Sequence, residues 1–290
     1  METTATPTVI RRAQPGDAEA CGRICYEAFT TLNKAFNFPP DFPNPETAQG
    51  VLSHMFANPG FFCVVAEQGG TILGSNCMDE RCAIAGIGPI TVSTASQNQT
   101  VGRQLMQAVL DRADERKFAG VRLIQAAFHG RSMALYTRLG FAIREPIVVM
   151  QGPAIHEVPR THVVRAATAA DLGACNALCM RVHGHERGGE LADDIGEGAA
   201  RVVERDGCIT AYGSVVGFFG HSVAVNNREM QVLLGGVDSF AGPGILVPTR
   251  NTELFAWCLN HGLRVIEPMS LMSMGLYNEP AGAFLPSILF

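Results

Sequence analysis

The sequence predicts a mixed α/β protein made of two similar halves, and three observations support this. The chain has 290 residues, which is enough for one large domain or two ordinary ones. An apolar, strand-like run from Ile84 to Val92 leads through a small polar loop into the pattern of an amphipathic helix. A short pattern near the start of the chain also recurs near its middle.

The recurring pattern contains an arginine, an aspartate and a pair of cysteines. Its two copies are Arg12, Asp17, Cys21 and Cys25, and Arg165, Asp171, Cys175 and Cys179. In each copy the aspartate is predicted to cap a helix, and one residue is inserted in the turn of the second copy. The Pro- and Gly-containing segment 151–161 is predicted to be a linker. We therefore expect domains over 9–150 and 162–290.

The polar loop before the amphipathic helix runs from Gln97 to Arg103. The helix pattern has apolar residues at the 3.6-residue period, at Val101, Leu105, Met106, Val109, Leu110 and Ala113. A helix start presents unpaired N–H groups and the positive end of the helix dipole, which suit phosphate oxygens. The chain has no Gly-x-x-x-x-Gly-Lys-Ser/Thr pattern, and this loop has no Gly-x-Gly-x-x-Gly. The loop thus predicts a phosphate-bearing ligand without naming it.

Two motifs resemble those of the GNAT superfamily of N-acetyltransferases. The loop is similar to the family's acyl-CoA loop, Gln/Arg-x-x-Gly-x-Gly/Ala, with Thr100 where the family usually has glycine. Residues 129–141 are similar to Asn-x-x-Ala-x-x-Leu-Tyr-x-x-x-Gly-Phe, with His129 in place of asparagine. A strand-like run, 121–127, precedes this second motif. The resemblance implies that each domain is a twisted, mixed but mostly antiparallel sheet flanked by helices.

The resemblance also implies a donor site and a catalytic acid. The co-substrate would be acetyl-CoA, held by Ile90, Thr91, Val92, Gln97, Asn98, Gln99, Thr100, Val101, Gly102, Arg103, His129 and Ser132. The strand from Gly86 to Val92 would lie beside the acyl-pantetheine arm. Thr100 would be compatible with phosphate binding if its φ is negative. Tyr136 would give a proton to the departing CoA thiolate as a general acid.

The general base and the acceptor site are less defined by the sequence. Asp79 and Glu80 are candidate bases near the central strand, although either could be a solvated turn charge. His54 is a further possible proton acceptor. Phe29, Phe36 and Phe38 belong to an aromatic, proline-rich region that could wall an apolar substrate pocket or simply anchor a long loop.

The second half repeats the tyrosine helix but lacks the phosphate loop. Residues 251–263 echo 129–141, with Cys258 at the tyrosine position, and only Asn226–Glu229 separates the preceding strand from its helix. The chain should therefore have one active site, in the first domain. The second domain would be structural or would form a wall of the substrate groove, which favours a monomer.

Composition restricts the partners. A net charge of −5 argues against nucleic acid and suits a cationic amine. No apolar run reaches 18 residues, so we expect no membrane segment. Nine cysteines without Cys-x-x-Cys pairs indicate reduced thiols and a cytoplasmic protein.

The segment after the second cysteine pair raises the question of a metal. His183, His185 and Glu186 could bind zinc, but further ligands are not apparent nearby, so we expect no metal. Arg187 and Glu190 in the same segment are possible substrate contacts if the second domain contributes to the site.

The sequence thus predicts an N-acetyltransferase that transfers an acetyl group from acetyl-CoA to a primary amine of a small molecule, by direct attack in a ternary complex. Two alternatives remain open. One is transfer from a longer acyl-CoA, and the other is a non-catalytic acyl-CoA-binding or regulatory protein.

Overall fold

The computed structural model describes residues 6–97 and 100–289. They form two compact units. The first contains the chain up to Glu80 and Ala85–Phe118, and the second contains Arg81–Ile84 and the chain from Ala119 onward. Helices flank mostly antiparallel sheets, so the predicted fold class is confirmed.

The first unit has a small antiparallel sheet with three helices. Its strands are β1 (Val9–Arg12), β2 (Phe61–Gln68), β3 (Thr71–Asp79), β4 (Ile84–Ile87) and β5 (Thr91–Val92). Its helices are α1 (Ala18–Ala35), α2 (Pro45–Ala57) and α3 (Val101–Arg116). The strand order is β1-β2-β3-β4, and β5 also pairs with β3.

Helix α3 confirms the period read from the sequence. It begins at Val101 and ends at Arg116, and its buried residues are the six apolar positions of the predicted stripe. Burying such side chains is worth roughly 1.5–3 kcal/mol each for the larger ones, which fixes this face of the helix on the sheet. The start of the helix is thereby fixed as well.

The strand before the loop is interrupted, and the prediction of one continuous run from Ile84 to Val92 was wrong. β4 ends at Ile87, and β5 begins at Thr91. Pro89, which follows Gly88 through a cis peptide bond, has no N–H to give to a strand ladder. Ile90 therefore lies outside both strands.

The second unit contains the remaining strands and helices. Its strands are β6 (Gly120–Ala126), β7 (Ala142–Gln151), β8 (Val163–Ala166), β9 (Arg201–Arg205), β10 (Cys208–Gly213), β11 (Ser222–Ala224), β12 (Ile245–Pro248), β13 (Arg264–Gly275) and β14 (Ala283–Leu285). Its helices are α4 (Gly130–Arg138), α5 (Leu172–His183), α6 (Gly188–Gly196), α7 (Asn227–Gly235) and α8 (Thr252–Asn260).

Strand β13 lies between two strands that follow one another in the chain. It pairs antiparallel with both β6 and β7, and β7 also pairs with β12, which gives the order β6-β13-β7-β12. A second sheet has the order β14-β11-β10-β9-β8. Strands from both sides of the segment 151–161 therefore share one sheet inside this unit. The domain ranges 9–150 and 162–290 stay a prediction.

The start of the first unit shows what the repeated arginine does. The Arg11 guanidinium donates two hydrogen bonds to Asp17, of 2.7 and 2.8 Å, and one of 2.6 Å to Glu67. Val9 stands opposite Glu67 in the β1–β2 ladder. The contact joins the strand to the helix that follows it.

The second unit contains the same arrangement. Arg165 donates two hydrogen bonds of 2.7 and 2.8 Å to Asp171 and further bonds of 3.2 Å to Glu204. Val163 stands opposite Glu204, just as Val9 does opposite Glu67. The sequence alignment that matched Arg12 with Arg165 was wrong. Arg11 is the counterpart, and its spacing to the aspartate equals that of Arg165, so no residue is inserted.

Among the described residues, no helix is long and apolar enough to cross a membrane.

Candidate functional site

Thr100 stands immediately before α3 with a left-handed backbone, at φ 65° and ψ −8°. The condition of a negative φ, under which Thr100 would be compatible with phosphate binding, is therefore not met. A β-branched residue in this region is strained by about 1–2 kcal/mol, whereas glycine adopts it freely. The usual glycine of the motif is therefore explained by backbone conformation at this position. The predicted contacts Asn98 and Gln99 lie outside the described residues.

The first turn of α3 has the electrostatics that a phosphate group needs. Val101 is buried, Gly102 is half-buried and the Arg103 side chain is exposed. The turn contains no acidic residue, so the positive end of the helix dipole is not neutralised locally. The N–H groups, the small Gly102 and the Arg103 charge fit the pyrophosphate of an acyl-CoA.

Strand β5 offers a backbone edge next to this helix start. Among the described strands it pairs only with β3, so its other edge has no strand partner. Thr91 is buried, and its hydroxyl has no hydrogen-bond partner among the described residues. Gln97 donates a long hydrogen bond of 3.5 Å to the carbonyl oxygen of Val92, which ties the loop to this strand. Such an edge suits the amides of a pantetheine arm.

A glycine in β3 allows β5 to approach. A Cβ built on Gly74 would lie 2.3 Å from the carbonyl oxygen of Thr91. Any side chain at this position would therefore push β5 away. The edge described above depends on Gly74.

In the second unit, α4 contains a chain of three hydrogen-bonding side chains. Nδ1 of His129 lies 2.7 Å from the Ser132 hydroxyl. Ser132 stands one helical turn before Tyr136, which is only 6% exposed and packs edge-on against Phe141. The spacing of three and four residues places the trio on one helix face.

The environment of this trio shifts its acid–base properties. Burial raises the pKa of Tyr136 to about 12, and the Ser132 hydroxyl opposes that shift. Burial and the positive charge of Arg131 lower the pKa of His129. At neutral pH Tyr136 is therefore a protonated phenol, and His129 is a neutral imidazole.

The two candidate bases differ in their surroundings. Glu80 receives two hydrogen bonds from the Arg112 guanidinium, of 2.7 and 3.2 Å. Asp79 is the last residue of β3 and is buried. His54 is exposed on α2. Both oxygens of the Glu80 carboxylate are therefore held by one guanidinium, and the choice of the general base stays a prediction.

The aromatic region adopts an ordered turn after α1. Phe29 lies on α1 and contacts the buried Phe42, with ring centroids 6.2 Å apart. Phe36 ends the helix and is 50% exposed, and Phe38 is half-buried. Phe42 thus anchors this segment, while Phe36 presents an apolar face to solvent.

A buried ionic cluster in the second unit was not expected from the sequence. Arg187 pairs with Glu190 at 2.5 Å, and Glu190 also contacts His221 at 3.1 Å. Nε2 of His221 lies 2.9 Å from the Tyr212 hydroxyl. Arg187 and Glu190 stand together at the start of α6, whereas Tyr212 lies on β10 and His221 just before β11, so only the folded chain brings the two pairs together.

The histidines considered as metal ligands are both buried, and burial lowers the pKa of each. Within the described part of the chain, no group of three or more His, Cys, Asp or Glu side chains is arranged to hold a metal ion.

The sequence model of the acetyltransferase (GNAT) family matches residues 26–141, so this part of the chain is similar to a GNAT acetyltransferase domain. This range includes both the loop at 97–103 and the tyrosine helix.

Solved structures support the fold over nearly the whole chain. A proposed acetyltransferase from Pyrococcus horikoshii is 18% identical, with a TM-score of 0.72 over 95% of this chain and 91% of that chain. A GCN5-related N-acetyltransferase from Sphaerobacter thermophilus is 15% identical, with a TM-score of 0.61 over 94% and 96% of the two chains. No curated protein matches the sequence.

Proposed function

We propose that the protein transfers an acetyl group from acetyl-CoA to a primary amine of a small molecule, by direct attack of the amine in a ternary complex. The match of residues 26–141 to the acetyltransferase family carries this proposal. The helix start at Val101, the open edge of β5 and the buried Tyr136 supply the parts that such a reaction needs.

The donor is held by groups that the chain already orients. The N–H groups at the start of α3 and the Arg103 side chain bind the pyrophosphate of the donor. The backbone of Thr91 and Val92 binds the amides of the pantetheine arm. His129 and Ser132 lie on the tyrosine helix and act on Tyr136 rather than on the pyrophosphate.

Tyr136 supplies the proton that the CoA thiolate needs when the amine displaces it. The phenol is protonated at neutral pH because burial raises its pKa to about 12. Asp79, or a water next to it, accepts the proton that the attacking ammonium loses. The net charge of −5 favours a cationic acceptor over an acidic one.

The remaining parts of the proposal concern the whole molecule. The matching contacts of Arg11 and Arg165 support two GNAT-like copies, of which the first carries the donor site. In the second copy, the corresponding helix start is that of α7. There the Asn226 side chain accepts a hydrogen bond of 3.1 Å from the N–H of Glu229, so this N–H group is already occupied. We propose that the protein is cytoplasmic, since all nine cysteines are free thiols, and that it is a monomer, as expected if the second copy is structural.

A panel of primary amines with acetyl-CoA tests the proposal, with release of free CoA thiol followed spectroscopically. We expect thiol release that depends on one class of amine, together with a mass increase of one acetyl group on that amine. Butyryl-CoA is the comparison donor. Faster transfer from butyryl-CoA would replace acetyl-CoA as the donor, and binding of either donor without transfer or hydrolysis would make the protein a non-catalytic acyl-CoA binder.

A further inference from the structure

Two helices of the second unit start in the same way but carry different side chains at the positions of His129, Ser132 and Tyr136. His129 precedes α4 with φ −87° and ψ 73°, and Asn251 precedes α8 with φ −80° and ψ 72°. The two helices also end alike. The N–H of Phe141 donates a hydrogen bond of 3.0 Å to the carbonyl oxygen of Tyr136, and the N–H of Leu263 donates one of 3.1 Å to the carbonyl oxygen of Cys258. The two helices can therefore be compared residue by residue.

The α8 copy uses its first residue as a helix cap. The Asn251 side chain accepts a hydrogen bond of 3.3 Å from the N–H of Leu254. Leu254 and Cys258 stand at the positions of Ser132 and Tyr136. No polar chain runs along this helix.

The α4 copy has a polar side chain at all three positions, namely His129, Ser132 and Tyr136. The His129 side chain makes no capping hydrogen bond and instead lies 2.7 Å from the Ser132 hydroxyl. Ser132 also departs from the alanine of the family motif, and it stands one helical turn before Tyr136 on the same helix face. The combination of histidine at 129 and serine at 132 occurs only in the copy that has the tyrosine, and the two side chains contact each other.

We propose that His129 and Ser132 form a proton relay that restores the phenol of Tyr136 after each turnover. This inference rests on the proposed function, because it takes Tyr136 as the acid of acyl transfer. His129 and Ser132 are positioning residues that act through Tyr136.

The relay balances as a transfer of one proton. When Tyr136 has protonated the thiolate, it is left as a phenolate. The Ser132 O–H bond breaks and its proton forms the new Tyr136 O–H bond, while Nδ1–H of His129 protonates the Ser132 oxygen. Nε2 of His129 takes a proton from solvent water, so the imidazole stays neutral and changes tautomer, and the hydroxide formed is neutralised by buffer.

The energetics of the acid make such a relay useful. A thiol has an ordinary pKa of about 8.5, well below the pKa of about 12 that burial gives Tyr136, so proton donation by an isolated phenol is unfavourable. A hydrogen bond donated by Ser132 stabilises the phenolate as it forms. His129 is half-buried and therefore reaches both Ser132 and solvent. The charged side chain that acts on His129 is Arg131, which keeps the imidazole neutral.

The first test is His129→Asn, which installs the residue that starts α8. Because Asn251 caps its helix with nearly the same φ and ψ, we expect unchanged or higher thermal stability in this variant. We expect kcat to fall about 10-fold, which is less than the roughly 100-fold or larger loss expected when a general acid itself is removed, with acetyl-CoA binding unchanged. Thr137→Ala, which removes an exposed hydroxyl from the same helix, is the matched control and should keep full activity. Full activity of His129→Asn would overturn the relay.

The second test separates the hydroxyl of Ser132 from its packing. Ser132→Ala should lower kcat by the same factor as His129→Asn, and the double variant should be no slower than either. Ser132→Thr keeps the hydroxyl and should retain most activity. Equal activity of the Ala and Thr variants would mean that the hydroxyl does no more than support the helix start.

A third measurement needs no activity and separates failure of the relay from failure of the proposed function. Nitrogen NMR of the His129 ring reports its tautomer and its hydrogen bond. We expect Ser132→Ala to change the Nδ1 signal and Tyr136→Phe to alter it through Ser132. If both variants leave the ring signals unchanged, the chain of contacts does not exist in solution. If the signals change but the wild type transfers no acyl group, the proposed function fails and the relay has no reaction to serve.

Discussion

At the scale of single residues, Thr100 is the departure from the family motif with the clearest physical cost, because its backbone is left-handed. The loop motif has glycine where this chain has a β-branched residue at φ 65°. The sequence identified the position but could not give its φ, because φ depends on how the loop closes onto α3. The backbone strain of Thr100 therefore lies at the proposed donor site.

Thr100→Gly is expected to stabilise the folded protein by about 1 kcal/mol, because glycine adopts the left-handed region without strain. Urea unfolding checks this, and calorimetry with CoA should show equal or tighter binding. Lys117→Gly is the matched control, since Lys117 has φ 58° at the other end of α3. It should stabilise the fold without changing CoA affinity. A large loss of CoA affinity in Thr100→Gly would show that the threonine hydroxyl itself holds phosphate.

At the scale of elements, the arginine–aspartate pairs join each first strand to its helix. The Arg165 guanidinium holds the pKa of Asp171 well below its usual range. A carboxylate with a lowered folded pKa contributes stability above its unfolded pKa of about 3.9, and this contribution is lost as pH falls through the folded pKa. The pair is therefore a contact that acts at neutral pH.

Asp171→Asn should lower the free energy of unfolding by about 1 kcal/mol at pH 7, because the pair is partly exposed and solvent screens it. The difference from wild type should shrink at pH values below about 4. Urea titrations at pH 7 and pH 3 measure it. Asp206→Asn changes an exposed carboxylate and serves as the control. An equal deficit at both pH values would contradict an electrostatic role.

The same scale shows what the sequence could and could not predict. The burial of α3 followed from its 3.6-residue period. The two cysteine pairs lie on α1 and α5, and the duplication that they suggested stays a prediction. The break at Pro89 was overlooked within an apolar run, although the missing N–H was a readable signal. The contacts of Arg11, rather than Arg12, needed the strand register, which no local pattern specifies.

At the scale of the whole molecule, the position of β13 decides how much of the chain folds independently. β13 supplies the strand between β6 and β7, from more than a hundred residues further along the chain. Sheet neighbours so distant in sequence leave no local signal. The second unit takes strands from both sides of the segment 151–161.

A fragment of residues 1–160 is therefore expected to be insoluble or partly unfolded, since β6 and β7 would each expose an unpaired edge. Co-expression with residues 161–290 should restore a soluble complex. Size-exclusion chromatography and hydrogen exchange of β6 check this. A stable, monomeric 1–160 fragment with protected β6 amides would contradict it.

Acyl transfer itself is the central claim, and Tyr136→Phe tests it most directly. The phenylalanine keeps the packing against Phe141 and removes only the acidic proton. Steady-state kinetics with acetyl-CoA and the best amine should show kcat lowered about 100-fold, with the Kd for acetyl-CoA unchanged. Unchanged kcat in a variant that binds acetyl-CoA normally would contradict the account.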